Sequence, residues 1–305
     1  MMRSLLATIL AWLFLSSATM AETGLERFER EIKPQIELKS FTYKGAEALG
    51  DTGFVLNEVV AVMPANATTG DKDSTLKIDK VTVEALDFER MKKLNDDDMP
   101  RFAKIKLEGM SGDEDMFALL EPYGIPRVPM DVVLDYRLDG VQKVFTLNAL
   151  EIALRGQGKI ALTLVIDGVS AKSSEMAGAK DDGKLRTASL TLDDKGLIGK
   201  LLPAIAKEQG QSAEGFVAFA LVSIAAFCEG QGPATLKALD AVASFVNDWQ
   251  GPKGALVLGL KPAKTAGLSD LDKVMEPNAL VDIFGLSASY PGTRDGAAKA
   301  GPASK

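Results

Sequence analysis

"MDVVLDYRLDGVQKVFTLNALEIALRGQGKIALTLVIDGV", residues 130–169, decides the architecture. In its first ten residues Val132, Leu134, Tyr136 and Leu138 share one face of a strand, and Asp131, Asp135, Arg137 and Asp139 share the other. Side chains alternate across a strand with a period of two, so this segment has one dry side and one wet side. "DG" at 139–140 and "RGQGK" at 155–159 separate it from two further β-rich runs, as hairpin turns do. The middle run changes phase: Phe145 and Leu147 precede the change at Asn148–Ala149, and Leu150, Ile152 and Leu154 follow it. One bulge there keeps all five on one face. The third run puts Ile160, Leu162, Leu164 and Ile166 on one side, with Ala161 and Val165 on the other.

The same signature extends in both directions. Runs at 54–63, 74–86, 101–110 and 185–194 are β-rich, and polar turns at 95–100, 110–116 and 179–184 punctuate them. The segment 117–129, with Pro122, Pro126 and Pro129, reads as a helical turn followed by a stiff crossing. Residues 42–194 therefore predict a long antiparallel meander. From 195 to 250 the period becomes helical. Leu197, Leu201 and Ile205 mark one helix, capped by Asp193 or Asp194 and containing Pro203. A second follows Ser212. A third opens at Pro233 with apolar positions 236, 239, 242, 243 and 246. A strand at 254–262 returns to the sheet, short helices follow near 269–276 (opening at Ser269 with Asp272 three residues on) and 278–285, and Gly, Ala, Pro and Lys dominate a tail over 289–305. Ahead of the meander, Leu25, Phe28 and Ile32 make a short amphipathic helix that ends at Pro34. The expected fold class is α+β: a large, twisted, mostly antiparallel sheet packed against a C-terminal group of helices, in one domain over 22–288.

Residues 1–21 stand apart. "MMRSLLATILAWLFLSSATMA" has a basic start at Arg3, an apolar run from Leu5 to Leu15, and small residues at Thr19 and Ala21, the −3 and −1 positions of a cleavage site. This is the pattern of a secretory signal peptide. It places the mature chain in the periplasm, with secretion as the alternative. The lone Cys228 cannot form an intramolecular disulfide, and in an oxidising compartment it is expected to be shielded. It closes the uncharged run Phe216–Cys228, whose 13 residues cover roughly 20 Å as a helix, against about 30 Å of hydrocarbon. The run is thus expected as a central buried helix, not a transmembrane span.

Composition excludes several chemistries. Histidine is absent from the chain, which removes His-based triads and HExxH metal sites. One cysteine makes neither a CxxC pair nor a zinc cluster. No GxxxxGK[ST] phosphate loop occurs, and the net charge of −7 does not suit a nucleic-acid backbone. Asp96–Asp98, Asp113–Asp115 and the strip Asp131, Asp135 and Asp139 offer carboxylates, and Lys172, Ser173 and Ser174 offer a Ser–Lys set. Polar turns and a wet strand face explain all of them, and "NAT" at 66–68 is a three-residue match of little weight. No catalytic, cofactor-binding or metal-binding residue is assigned.

"LRTASLTLDDKGLIGKLLPAIAKEQG" (185–210) and "GPKGALVLGLKPAK" (251–264) resemble recurring features of poorly characterised exported proteins of alphaproteobacteria, over much of residues 40–290. Such β-rich, envelope-facing proteins are similar to lipid-handling or envelope-assembly factors. The resemblance implies a non-enzymatic, envelope-associated role and transfers no active residue. The expected ligand is a lipid or other apolar molecule held between sheet and helices. A structural or protein-interaction module with an envelope protein partner is the first alternative, and a carboxylate- or Ser/Lys-dependent hydrolase is the second.

Overall fold

The computed structural model describes residues 22–65, 72–92, 97–112, 121–172, 174–175 and 182–292. The alternating runs become a 12-stranded sheet: β1 (Ser40–Thr42), β2 (Gly45–Leu49), β3 (Gly53–Met63), β4 (Ser74–Leu86), β5 (Phe102–Gly112), β6 (Met130–Asp139), β7 (Val144–Leu154), β8 (Gly158–Asp167), β9 (Lys184–Asp194), β10 (Ala255–Leu260), β11 (Ala266–Gly267) and β12 (Leu286–Gly292). From β3 to β9 every strand pairs antiparallel with the next in sequence. β10 continues beside β9, and β12 closes the far edge. β1 and β2 share the outer edge of β3, and β11 lies beside β9 below β10.

Register carries the apolar positions from strand to strand. One row runs Leu107, Val132, Ile152, Ile160, Leu192, Leu256, and the next runs Ile105, Leu134, Leu150, Leu162, Leu190, Leu258. The bulge expected in β7 is present: Leu147 and Leu150 face Leu164 and Leu162, and Asn148 is the extra residue. A second irregularity lies across three strands. Leu56 and Val59, Ile78 and Val81, and Leu107 and Met110 are each three residues apart yet join one buried cluster. The backbone turns through positive φ at Glu58 (49°) and Gly109 (68°) to allow this. A Cβ at Gly109 would sit 1.9 Å from the Asp79 carboxylate, so glycine is required there.

Helices gather on the apolar side at both ends of the sheet. At the start, α1 (Gly24–Arg27) continues as a π turn (Phe28–Ile32) and a 3-10 turn (Lys33–Gln35). Thr23 caps it, bonding Glu26 in both directions. Phe28 and Ile32 pack with Phe54, Leu56 and Val83, and with Phe88 of α2 (Phe88–Met91). At the other end, Phe284 and Ile283, just after α6 (Ala279–Asp282), pack with Leu164, Ile166 and Leu185. Between β9 and β10 stand α3 (Leu197–Glu208), α4 (Ala213–Phe227) and α5 (Pro233–Asn247). Asp194 starts α3, accepting N–H bonds from Leu197 (2.7 Å) and Ile198 (3.1 Å). Ser212 caps α4 through Gly215 (3.0 Å). Only α5 lies broadly on strands, against β12 and β10, while α4 packs on α3 and α5.

Several expectations change. α4 is not a central buried helix: within it only Ala213 and Val217 are buried, and Phe219 and Val222 are 68% and 66% exposed. Among the described residues it packs chiefly on α3 and α5, and its outer side is exposed. Cys228 is accordingly half-buried, short of the full burial expected. The inward face of α5 is Thr235, Ala238 and Phe245, one position off the expected stripe, and Leu236 points outward. The chain that was expected to loosen at 289 instead forms β12 to Gly292. The reach-back at the 268–273 turn runs from Asp270 to the Gly267 N–H.

The bulge yields a test. β6 and β8 alternate strictly on either side of β7, so deleting Asn148 restores strict alternation of Phe145, Leu147, Leu150, Ile152 and Leu154. The deletion should cost about 1–2 kcal/mol, chiefly the Asn148–Asp135 hydrogen bond. Deleting Thr163 throws Ile160 and Leu162 onto the wet face and should cost more than about 4 kcal/mol. Urea unfolding of the two deletion variants checks the contrast.

Candidate apolar binding groove

The buried residues form three clusters. One lies under α1 and α2, one under the segment 266–285, and one among α3, α4 and α5 around Val217 and Trp249. The middle of the two apolar rows belongs to none of them. Val132, Ile152, Ile160 and Leu192, with Leu134, Leu150, Leu162 and Leu190, form a sheet surface between the two end caps. Ile152 and Ile160 are 41% and 49% exposed, and the other six are half-buried.

Helix α3 overhangs this surface. Asp194 at the end of β9 takes the first free N–H groups of the helix, which fixes where α3 leaves the sheet. Leu197, Ile198 and Leu201 then face Ile152, Leu154, Ile160 and Leu192 across a cavity of about 230 Å³. Whole pockets for drug-sized ligands run about 300–1,000 Å³, so this cavity is smaller than a complete pocket of that kind. The partly exposed apolar rows continue beside it. Lys159 and the buried Asp193 and Asp194 are the charged residues of an otherwise apolar lining. The site offers apolar contact and exclusion of water.

Asp131, Asp135 and Asp139 of the sequence reading lie on the opposite face, and each has a structural task. Asp131 receives two hydrogen bonds from Arg155, at 2.7 and 2.9 Å, and one from the Gly109 N–H at 2.7 Å. Arg155 also reaches Asp79 at 3.8 Å. These four residues clasp β4 to β7 at the level where the alternation breaks. Asp135 accepts from Asn148 at the bulge (3.0 Å), and Asp139 accepts from Val141 and Gln142 to hold the β6–β7 turn (both 2.9 Å). Ser174 donates to Asp97 (2.6 Å), and Lys172 bridges the backbone at Asp98. Ser173, Asp96, Asp113–Asp115 and the 66–68 motif lie outside the described residues. Among the described residues no cluster of carboxylates or cysteine has metal-binding geometry.

The groove itself was missed as a set of residues, although its signal was present. Ile160, Leu162 and Leu164 were recognised as one face, but pairing in register was needed to join them to Leu150 and Leu190.

The Arg155 guanidinium holds the Asp131 carboxyl below the ordinary carboxylate range, with help from the Gly109 N–H and against partial desolvation. A depressed folded-state pKa stabilises above the unfolded value of about 3.9 and is lost as pH falls through the folded value. Asp131→Asn should therefore cost about 1 kcal/mol at neutral pH, a figure kept small by the solvent around Arg155. The gap to wild type should close below about pH 4. Urea midpoints measured across that range check the sign.

A family model described as "Uncharacterized protein" matches residues 151–291, from the second half of β7 to β12. That stretch holds β8, β9 and α3, and so most of the groove. No curated protein matches the chain.

Proposed function

We propose that this chain is a non-enzymatic holder of an apolar ligand, a lipid acyl chain bound against β6–β9 beneath α3. The observation that carries the reading is the apolar surface that joins none of the three cores. Water against two rows of Leu, Ile and Val is unfavourable by about 25 cal/mol per Å², and exposed apolar patches of this kind mark binding grooves. The bulge in β7 supports the reading too, since it keeps Leu150 and Ile152 on the groove side where an unbulged strand of this sequence would turn them away. The signal-peptide pattern at 1–21 supports a site of action in the periplasm, where a lipid in transit needs a carrier with a dry track.

The test is purification of the mature protein from the envelope, followed by mass spectrometry of what it retains. Wild type should carry lipid, or take up lipid when reconstituted. The double variant Ile152→Asp, Ile160→Asp should fold, because both side chains are nearly half exposed. It should bind at least about tenfold less lipid, because each replacement removes on the order of 1 kcal/mol of ligand contact and adds a charge to the track. Failure of wild type to retain or take up any apolar ligand defeats the reading.

A further inference from the structure

Helix α4 is apolar on both its inner and outer sides. Inward, Val217 and Leu221 meet Trp249, Val246, Ile198 and Leu202. Outward, Ala218, Phe219, Val222, Ala225 and Ala226 are exposed, and no charged residue occurs from Phe216 to Cys228. A helix that is hydrophobic all round is ordinarily buried in a core or in lipid, and here the core takes only half of it. The one hydroxyl on the outer face, Ser223, donates to the Phe219 carbonyl at 2.9 Å. It is thus satisfied within the helix, as an apolar medium demands.

We infer that the outer face of α4 docks on a lipid bilayer surface and holds the groove beside it. The area argues against a stable protein partner or a second copy. A 15-residue helix is about 22 Å long and presents a strip about 10 Å wide. That is roughly 200 Å², where a stable protein interface buries about 800 Å² on each side. Charged Lys207, Glu208 and Glu214 at one end and Glu229 at the other stop the apolar strip from growing. Insertion into an interface has no such minimum, because it grows with the apolar area buried, to which attraction to anionic lipids adds where charge allows.

Geometry connects this face to the groove. No single described helix is long and apolar enough to cross a membrane, but α3 and α4 together have that composition and meet at 93°. The residues of α3 that line the groove, Leu197, Ile198 and Leu201, lie toward the end of α3 away from its bend into α4. The inference deepens the apolar-ligand reading and rests on it for its purpose. Docking and ligand retention are nevertheless separate measurements.

The experiment is flotation of the mature protein with phosphatidylcholine vesicles, for wild type, the double variant Phe219→Asp, Val222→Asp, and Val141→Asp. Val141 is 89% exposed in the β6–β7 turn and serves as the control. Wild type and Val141→Asp should float equally, at low and high salt alike, because the strip carries no charge. The double variant should lose at least tenfold in partition while keeping its helical circular dichroism and its retained ligand. Flotation of the double variant at the wild-type level overturns the inference. So does a wild-type dimer that the variant converts to monomers, or loss of retained ligand by the folded variant. Wild type that retains ligand but does not float sinks the docking alone. Wild type that floats yet retains nothing leaves docking standing and sinks the groove.

Discussion

A β-sheet with one apolar face must have that face covered, and this sheet is wider than its helices. Ten strands in the main path, about 4.8 Å apart, span roughly 43 Å, and a helix is about 10 Å across. Four helices lying flat would be needed to close it. The short α1 and α2 cover β3–β5, while α5, α6 and the 268–273 turn cover the far end. The two most apolar candidates for the middle do not lie down: α3 leaves the sheet at Asp194, and α4 stacks on other helices. The groove is what this mismatch leaves behind.

The two faces are maintained by different means. On the wet side, polar contacts such as Arg155–Asp131 and Asn148–Asp135 sit where strands depart from regular pairing. They satisfy backbone and side-chain groups that the irregularities set free, Gly109 N–H among them. On the dry side nothing polar is required, because both irregularities restore the apolar phase. Glu58, Asp79 and Gly109 do so for β3–β5, and Asn148 does so for β7. The continuity of the apolar rows therefore depends on polar residues on the opposite surface.

Much of the sheet was legible from its period. β4 occupies 74–86, the bounds of its β-rich run, and the β7 bulge followed from Leu147 and Leu150 being three apart. The same three-residue spacing at Leu56–Val59, Ile78–Val81 and Leu107–Met110 carried the second irregularity and was not read. Helix α4 was misplaced for a physical reason. An uncharged run looks alike whether its outer side meets protein or another apolar phase, and its 13 residues cannot say which. The groove needed strand order and register, which no single strand encodes. Asp131, Asp135 and Asp139 share one strand face, as their spacing indicates, but a partner such as Gly109 for Asp131 lies 22 residues away.

The central claim is that the middle rows, and not the closed cores, meet an apolar ligand. Methyl NMR of the protein with a fatty acid spin-labelled on its chain tests it most directly. The account predicts strong broadening of the Ile152, Ile160, Leu150, Leu162 and Leu190 methyls, with Leu56, Val59 and Leu185 in the end cores left sharp. Uniform broadening, or none at the five groove residues, would contradict it.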